Sequence, residues 1–371
     1  MKKLTLAALS ALLLLGISPG ASGGPGPHGI SSDNVEHLKY LPYEAATGTG
    51  GRIVGKYFYV TSWKTFSIFD VSVPEDPQWV STTPLQAAMF ENEDVATNGK
   101  ILIFSEELPG DTLYVYDVRD KAAPKLIGEL PGVGEHTMSC ILDCKWLYGA
   151  YGTIVDLRDP TKPKMAGEWG ASGHDVIEVR PGIVLTATDP IQLLDARKDP
   201  AHPKRLAVAQ PMDEFIHSVQ WPRAGADKFM LATGETWVPG VDAQCTDSSA
   251  GFSTWNASNY KKTHSFQMID IFRPTAGNYA DGRPPINGPF GCSSHWFQQN
   301  PTFKNGGVVA AGFYNHGARF LDVDSKGKIK EIGWFLPHAG GTSAAYWRTN
   351  RIVYTVDYQR GMDVLKYTGK L

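Results

Sequence analysis

Four of the ten histidines in this 371-residue chain stand at the same point of four short apolar phrases. They are His136-Thr137-Met138-Ser139, His174-Asp175-Val176-Ile177, His217-Ser218-Val219-Gln220 and His295-Trp296-Phe297-Gln298, and Glu93 holds that point in Glu93-Asp94-Val95-Ala96. Neutral imidazole nitrogens bind borderline first-row metals well, so rings brought to one place would make a site for Cu, Fe or Zn. His136, His174, His217 and His295 are therefore the candidate ligands, with Glu93 and His316 as candidate additions. Asp94, Asp175 and Glu235 are candidates for outer acceptors that orient a ligating ring. The carboxylates of Glu93, Asp94, Asp175 and Glu235 could also form an acid/base pair. A plain alternative stands beside these readings. A chain grown by duplication repeats residues without repeating chemistry, and a histidine at a strand start can simply bond its neighbour.

The elements that would position these residues are legible from a second repeat. An apolar run, an Asp and a Pro-punctuated turn recur along the chain, as in Thr153-Ile154-Val155-Asp156-Leu157-Arg158-Asp159-Pro160. The anchors are Asp70, Asp117, Asp156, Asp195, Asp270, Asp322 and Asp363, separated by 47, 39, 39, 75, 52 and 41 residues. A period near forty with four short strands in each is the pattern of a β-propeller. The Asp carboxylate suits the turn that follows, where it can accept backbone N–H groups. The prolines suit the start of an outer strand, where a missing N–H costs no ladder bond.

This predicts an all-β, seven-bladed propeller with units at about 48–84, 91–131, 135–170, 174–210, 217–286, 294–337 and 342–367. The last unit lacks a fourth strand. Residues 34–43 resemble the closing strands of other units, so the N-terminal strand is expected to complete the last blade and remove an open edge. The first strand of each blade lines the channel, which puts the histidine column at one mouth. His316, in Tyr314-Asn315-His316-Gly317, and Glu235 fall in loops on that face, as do the aromatics Trp63, Tyr151, Trp237, Tyr314 and Tyr358. The long fifth unit is read as carrying an insertion, 237–264, between its second and third strands. That insertion is either a lid over the mouth or an ordinary surface loop.

Residues 1–23 have the form of a secretory signal: Lys2 and Lys3, an apolar core from Leu4 to Ile17, and Ala21-Ser22-Gly23. A flexible leader, 24–33, is expected to precede a single domain, 34–371. The apolar core is short for a membrane span, so the expected location is secreted or periplasmic. Removing the signal takes the formal charge from −3 to −5. That balance gives no electrostatic footprint for nucleic acid. Four cysteines in an exported chain suggest two disulfides, Cys140 with Cys144 across a tight turn and Cys245 with Cys292. Asn256-Ala257-Ser258 fits a glycosylation sequon. No nucleophile elbow, Walker loop or dinucleotide fingerprint is present.

Units such as Lys145-Trp146-Leu147-Tyr148-Gly149 leading into Ile154-Val155-Asp156-Leu157-Arg158-Asp159-Pro160 resemble LVIVD-repeat proteins, a family of exported bacterial propellers. Cys292-Ser293-Ser294-His295-Trp296-Phe297 and Val356-Asp357-Tyr358-Gln359-Arg360-Gly361-Met362-Asp363-Val364 resemble its C-terminal half. The resemblance implies the fold and no particular reaction. The leading functional reading is a monomeric binding module that takes a small molecule or a protein at the histidine-bearing mouth, without nucleic acid and without membrane insertion. The competing readings are a Cu- or Fe-dependent oxidoreductase and a purely structural or adhesive scaffold.

Overall fold

The computed structural model describes residues 29–42, 48–86, 93–107, 111–212, 215–235, 250–274, 292–338, 340–358 and 360–371. The expected signal, Cys245 and Trp237 lie outside them. Among the described residues the fold is all-β, relieved by two four-residue helical turns, Pro222–Gly225 and Tyr260–Thr263. No helix there is long and apolar enough to cross a membrane.

The strands pair as consecutive antiparallel meanders. In one, Met138–Ile141, Trp146–Gly149, Thr153–Asp156 and Lys164–Glu168 follow in order. The middle strands are apolar on both faces because neighbouring sheets cover them; Ile101–Ser105 and Ile183–Ala187 are buried throughout. Outer strands such as Lys125–Pro131 alternate toward solvent. Hydrophobic clusters form between successive units. Ile141, Tyr148 and Ile154 pack on Val176, Val184 and Leu194, and the last unit packs back on the first through Tyr346, Tyr354 and Val356 against Phe58, Val60 and Phe69.

The same irregularity recurs where third strand meets outer strand. The register slips between Ile68 and Phe69, Leu126 and Gly128, Ile154 and Val155, Leu193 and Leu194, and Phe320 and Leu321. Such a bulge adds a residue and sharpens the twist of the outer strand. Val35–Leu41 pairs antiparallel with Met362–Tyr367 and slips between His37 and Lys39, the mark the other outer strands carry.

Two expectations change. Part of the expected flexible leader is ordered: Gly29–Ser31 adds a fifth strand to Phe335–Pro337. In the fifth unit the third strand is Phe252–Asn256, so Asp270 lies on the outer strand Ser265–Phe272. Residues 252–264 are thus strand and turn rather than insertion, and 236–249 lie outside the described residues. Asn256 takes the anchor's place. Its Oδ1 accepts the N–H of Ser258 at 3.0 Å, as Asp156 Oδ1 accepts that of Arg158 at 3.0 Å and Asp70 Oδ1 that of Ser72 at 2.8 Å. The outer strand of this unit also pairs in parallel with Lys204–Ala209, which joins two meanders into one eight-stranded sheet.

Candidate metal centre

The aligned histidines meet. His136, His174 and His295 lie just before the inner strands Met138–Ile141, Asp175–Arg180 and Phe297–Gln299, and His217 lies within Phe215–Gln220. All four are buried. Ring centroids are 4.5 Å apart for His136 and His174, and 3.9 Å for both His174–His217 and His217–His295. Glu93 reaches them because Gly50 admits its main chain: a Cβ on Gly50 would stand 1.6 Å from Glu93 O.

The Glu93 carboxylate is the hub. His217 Nε2 is 3.1 Å from its Oε2, His295 Nε2 is 2.9 Å from its Oε1, and the Nε2 atoms of His174 and His136 are 3.8 and 3.9 Å from Oε2. Trp296 Nε1–H donates to Oε2 at 3.0 Å and the Tyr358 hydroxyl to Oε1 at 2.6 Å. Glu235, at the end of Phe229–Glu235, faces the same space. Its Oε2 is 3.9 Å from His174 Nε2 and its Oε1 3.9 Å from His295 Nε2, and Tyr314 OH donates to Oε1 at 2.6 Å.

The outer nitrogens explain the orientation. His174 Nδ1 is 3.1 Å from His217 O, and His295 Nδ1 is 2.8 Å from Ser343 O. A carbonyl only accepts, so each Nδ1 carries a hydrogen and Nε2 is the nitrogen each ring turns inward. His136 Nδ1 faces a carboxylate, Glu107 Oε1, at 3.2 Å, and Tyr151 OH holds that oxygen at 2.7 Å. Securing Nδ1 on a carbonyl or carboxylate is how metal-bound imidazoles are oriented.

The inward ends then crowd. His136 Nε2 and His174 Nε2 are 2.8 Å apart. Two lone pairs at that separation need a proton or a cation between them, and so do His295 Nε2 and Glu93 Oε1. His295 Nε2 is a buried atom without a well-formed hydrogen bond. Nitrogens bound at about 2.0–2.1 Å to one ion, with bonds at right angles, stand roughly 3 Å apart, so the observed spacing fits ligation. Within 4.8 Å of one another stand ligand atoms of Glu93, His174 and His217, and likewise of His217, Glu235 and His295.

The electrostatics disfavour a charge on His174 and His217 and favour an ionised hub. Burial, reinforced by His217 and His136, holds His174 well below the usual histidine range, and burial with the His295 charge lowers His217. Burial alone would raise Glu93. The charge of His295 and the hydrogen bond from His217 outweigh it and hold the carboxyl well below the usual range.

The other predicted residues take different parts. Asp94 does not orient an imidazole: Arg52 grips it from Gly48–Val54, with Nη2 at 2.5 and 2.6 Å from its two oxygens. Asp175 joins that group; burial and the Asp94 charge raise it well above the usual range, against Arg52. Successive strand residues face opposite ways, so the neighbour of a ligand in sequence need not be its neighbour in space. His316 is buried, and Tyr314 of the same turn stands 4.5 Å from His295 ring to ring. Glu107 and Glu135 were not anticipated. Glu135 sits beside His136, accepts the Tyr151 N–H at 2.6 Å and is pushed by burial up to about 7. Cys140 and Cys144 are bonded, and Cys292 is disulfide-bonded too; its expected partner Cys245 lies outside the described residues.

No family model matches the chain, and no curated protein matches it. Among solved structures, the β-propeller domain of Cps50 (Swd1) from Myceliophteria thermophila is similar. Its TM-score is 0.61 at 11% identity, over 90% of this chain and 100% of that one. At that identity the likeness shows the fold alone: a β-propeller.

Proposed function

We propose that this chain is an exported seven-bladed propeller that binds its ligand through a first-row transition metal, Cu, Fe or Zn, held at one mouth of the channel by His136, His174, His217, His295 and Glu93. The observation that carries the reading is the set of three inward Nε2 atoms whose Nδ1 atoms are each turned toward an outer acceptor. A bound ion would supply Lewis acidity there and, for Cu or Fe, redox chemistry. Ring closure by Val35–Leu41 is supported by its pairing with the last unit. Export is supported by the leader pattern and the disulfides, which persist in oxidising compartments. The lineage is proposed as LVIVD-repeat, on the phrases quoted above.

A rim of exposed aromatics supports a ligand at this mouth. Phe215, 52% exposed, packs edge-on against His174 at 5.4 Å, and Tyr151, 44% exposed, reaches Glu107. Such rings offer an apolar platform to a small molecule or a protein loop. The oxidoreductase reading draws on the phenols of Tyr314 and Tyr358, 5.6 Å apart beside His295. Calorimetric titration of untagged, metal-stripped protein with Cu(II) and Zn(II) tests the proposal. Wild type should bind at submicromolar Kd, and His174→Ala, still folded by circular dichroism, should bind at least 100-fold more weakly. Equal affinity in both would refute the site.

A further inference from the structure

The donors at the hub outnumber what one ion takes. Four imidazoles and two carboxylates converge, whereas a tetrahedral ion uses four ligands. They also divide. Glu93 Oε2 lies on the side of His136, His174 and His217, at 3.9, 3.8 and 3.1 Å, while Oε1 lies on the side of His295 at 2.9 Å. Glu235 splits the same way, with Oε2 3.9 Å from His174 Nε2 and Oε1 3.9 Å from His295 Nε2. Each carboxylate therefore shows one oxygen to each group of rings. His295 Nε2 is fully buried, aimed at the space between them and without a well-formed hydrogen bond.

We propose that the site takes two first-row divalent ions bridged by Glu93 and Glu235. One sits with His136 and His174, the other with His295, and His217 stands between the halves. This rests on the metal-binding reading above. Carboxylates that span two ions hold them about 3.5–4 Å apart in known two-metal sites. Tyr314 and Tyr358 fit the scheme, because each donates to the oxygen on the His295 side and fixes how its carboxylate is turned.

Counting ions by elemental analysis after Cu(II) loading and desalting, with electron paramagnetic resonance on the same samples, tests this. The expectation is two ions per chain in wild type with an attenuated, spin-coupled signal. His295→Ala and Glu235→Gln should each hold one ion with a full isolated-Cu signal. The milder Glu235→Gln guards against a folding artefact in His295→Ala. One ion in wild type would overturn the two-ion site and leave the metal centre standing. Two ions in wild type and in both variants would place the second elsewhere and overturn it too. None in wild type would overturn both readings.

Discussion

His174 and His217 share a consequence that a pH scan can read. Folded, both resist protonation; unfolded, they titrate near 6.5. Below that value the unfolded chain binds more protons, so their contribution to stability is present above about 6.5 and is lost as pH falls. Asp175, raised by burial, works in the opposite sense and loses its contribution as pH rises, so wild type must be compared with a variant. Metal-free wild type should lose several degrees of Tm between about pH 7 and 5, and His174→Gln should lose less. Parallel curves would contradict a buried neutral ring. Protons also compete for Nε2, so metal affinity should fall over the same interval. The histidine column was legible because the repeat gives each unit one equivalent position. Glu107 and the hydroxyls of Tyr314 and Tyr358 were not legible as partners of the hub, because they reach its residues from places the repeat does not copy.

At the scale of the strand and its turn, the anchoring side chain matters more than its charge. Asp156 and Asn256 make the same bond to the N–H two residues on. Asp156→Ala should therefore cost about 1 kcal/mol, while Asn256→Asp should stay within about 0.5 kcal/mol, by denaturant titration. A large loss in Asn256→Asp would contradict the shared role. This equivalence is what hid the fifth unit's third strand. Phe252-Ser253-Thr254-Trp255 reads as a polar loop, yet Ser253 and Thr254 are buried and donate to Ala232 O at 3.2 Å and Gly327 O at 2.6 Å. Backbone acceptors can satisfy short hydroxyls inside a sheet, so polarity there does not mark a loop. The tight turn at Cys140–Cys144 was visible from its spacing. Its cost was not: Leu142, Asp143 and Cys144 all take positive φ, at 55°, 60° and 56°.

For the whole molecule, the ring is the device that makes the site. Each unit contributes at most one of the four hub imidazoles from its inner strand, so the units must stand side by side to assemble them. The all-β architecture was legible in the recurring apolar run, Asp and Pro-punctuated turn, and the N-terminal pairing in the likeness of residues 34–43 to the closing strands of other units. In the proposed ring, deleting residues through Leu41 bares Met362–Tyr367 as an unpaired edge and uncovers Leu365 and Tyr367. That truncation should aggregate on size-exclusion chromatography and lose metal binding together with its fold; a soluble, metal-binding truncation would contradict closure. The proposed transition metal belongs at the histidine mouth. An anomalous-difference map from Zn- or Cu-loaded crystals tests it most directly. Peaks are expected at about 2.0–2.2 Å from His136, His174 and His295 Nε2 and beside the Glu93 carboxylate. A map with no peak at that hub, or with peaks only at surface histidines, would contradict it.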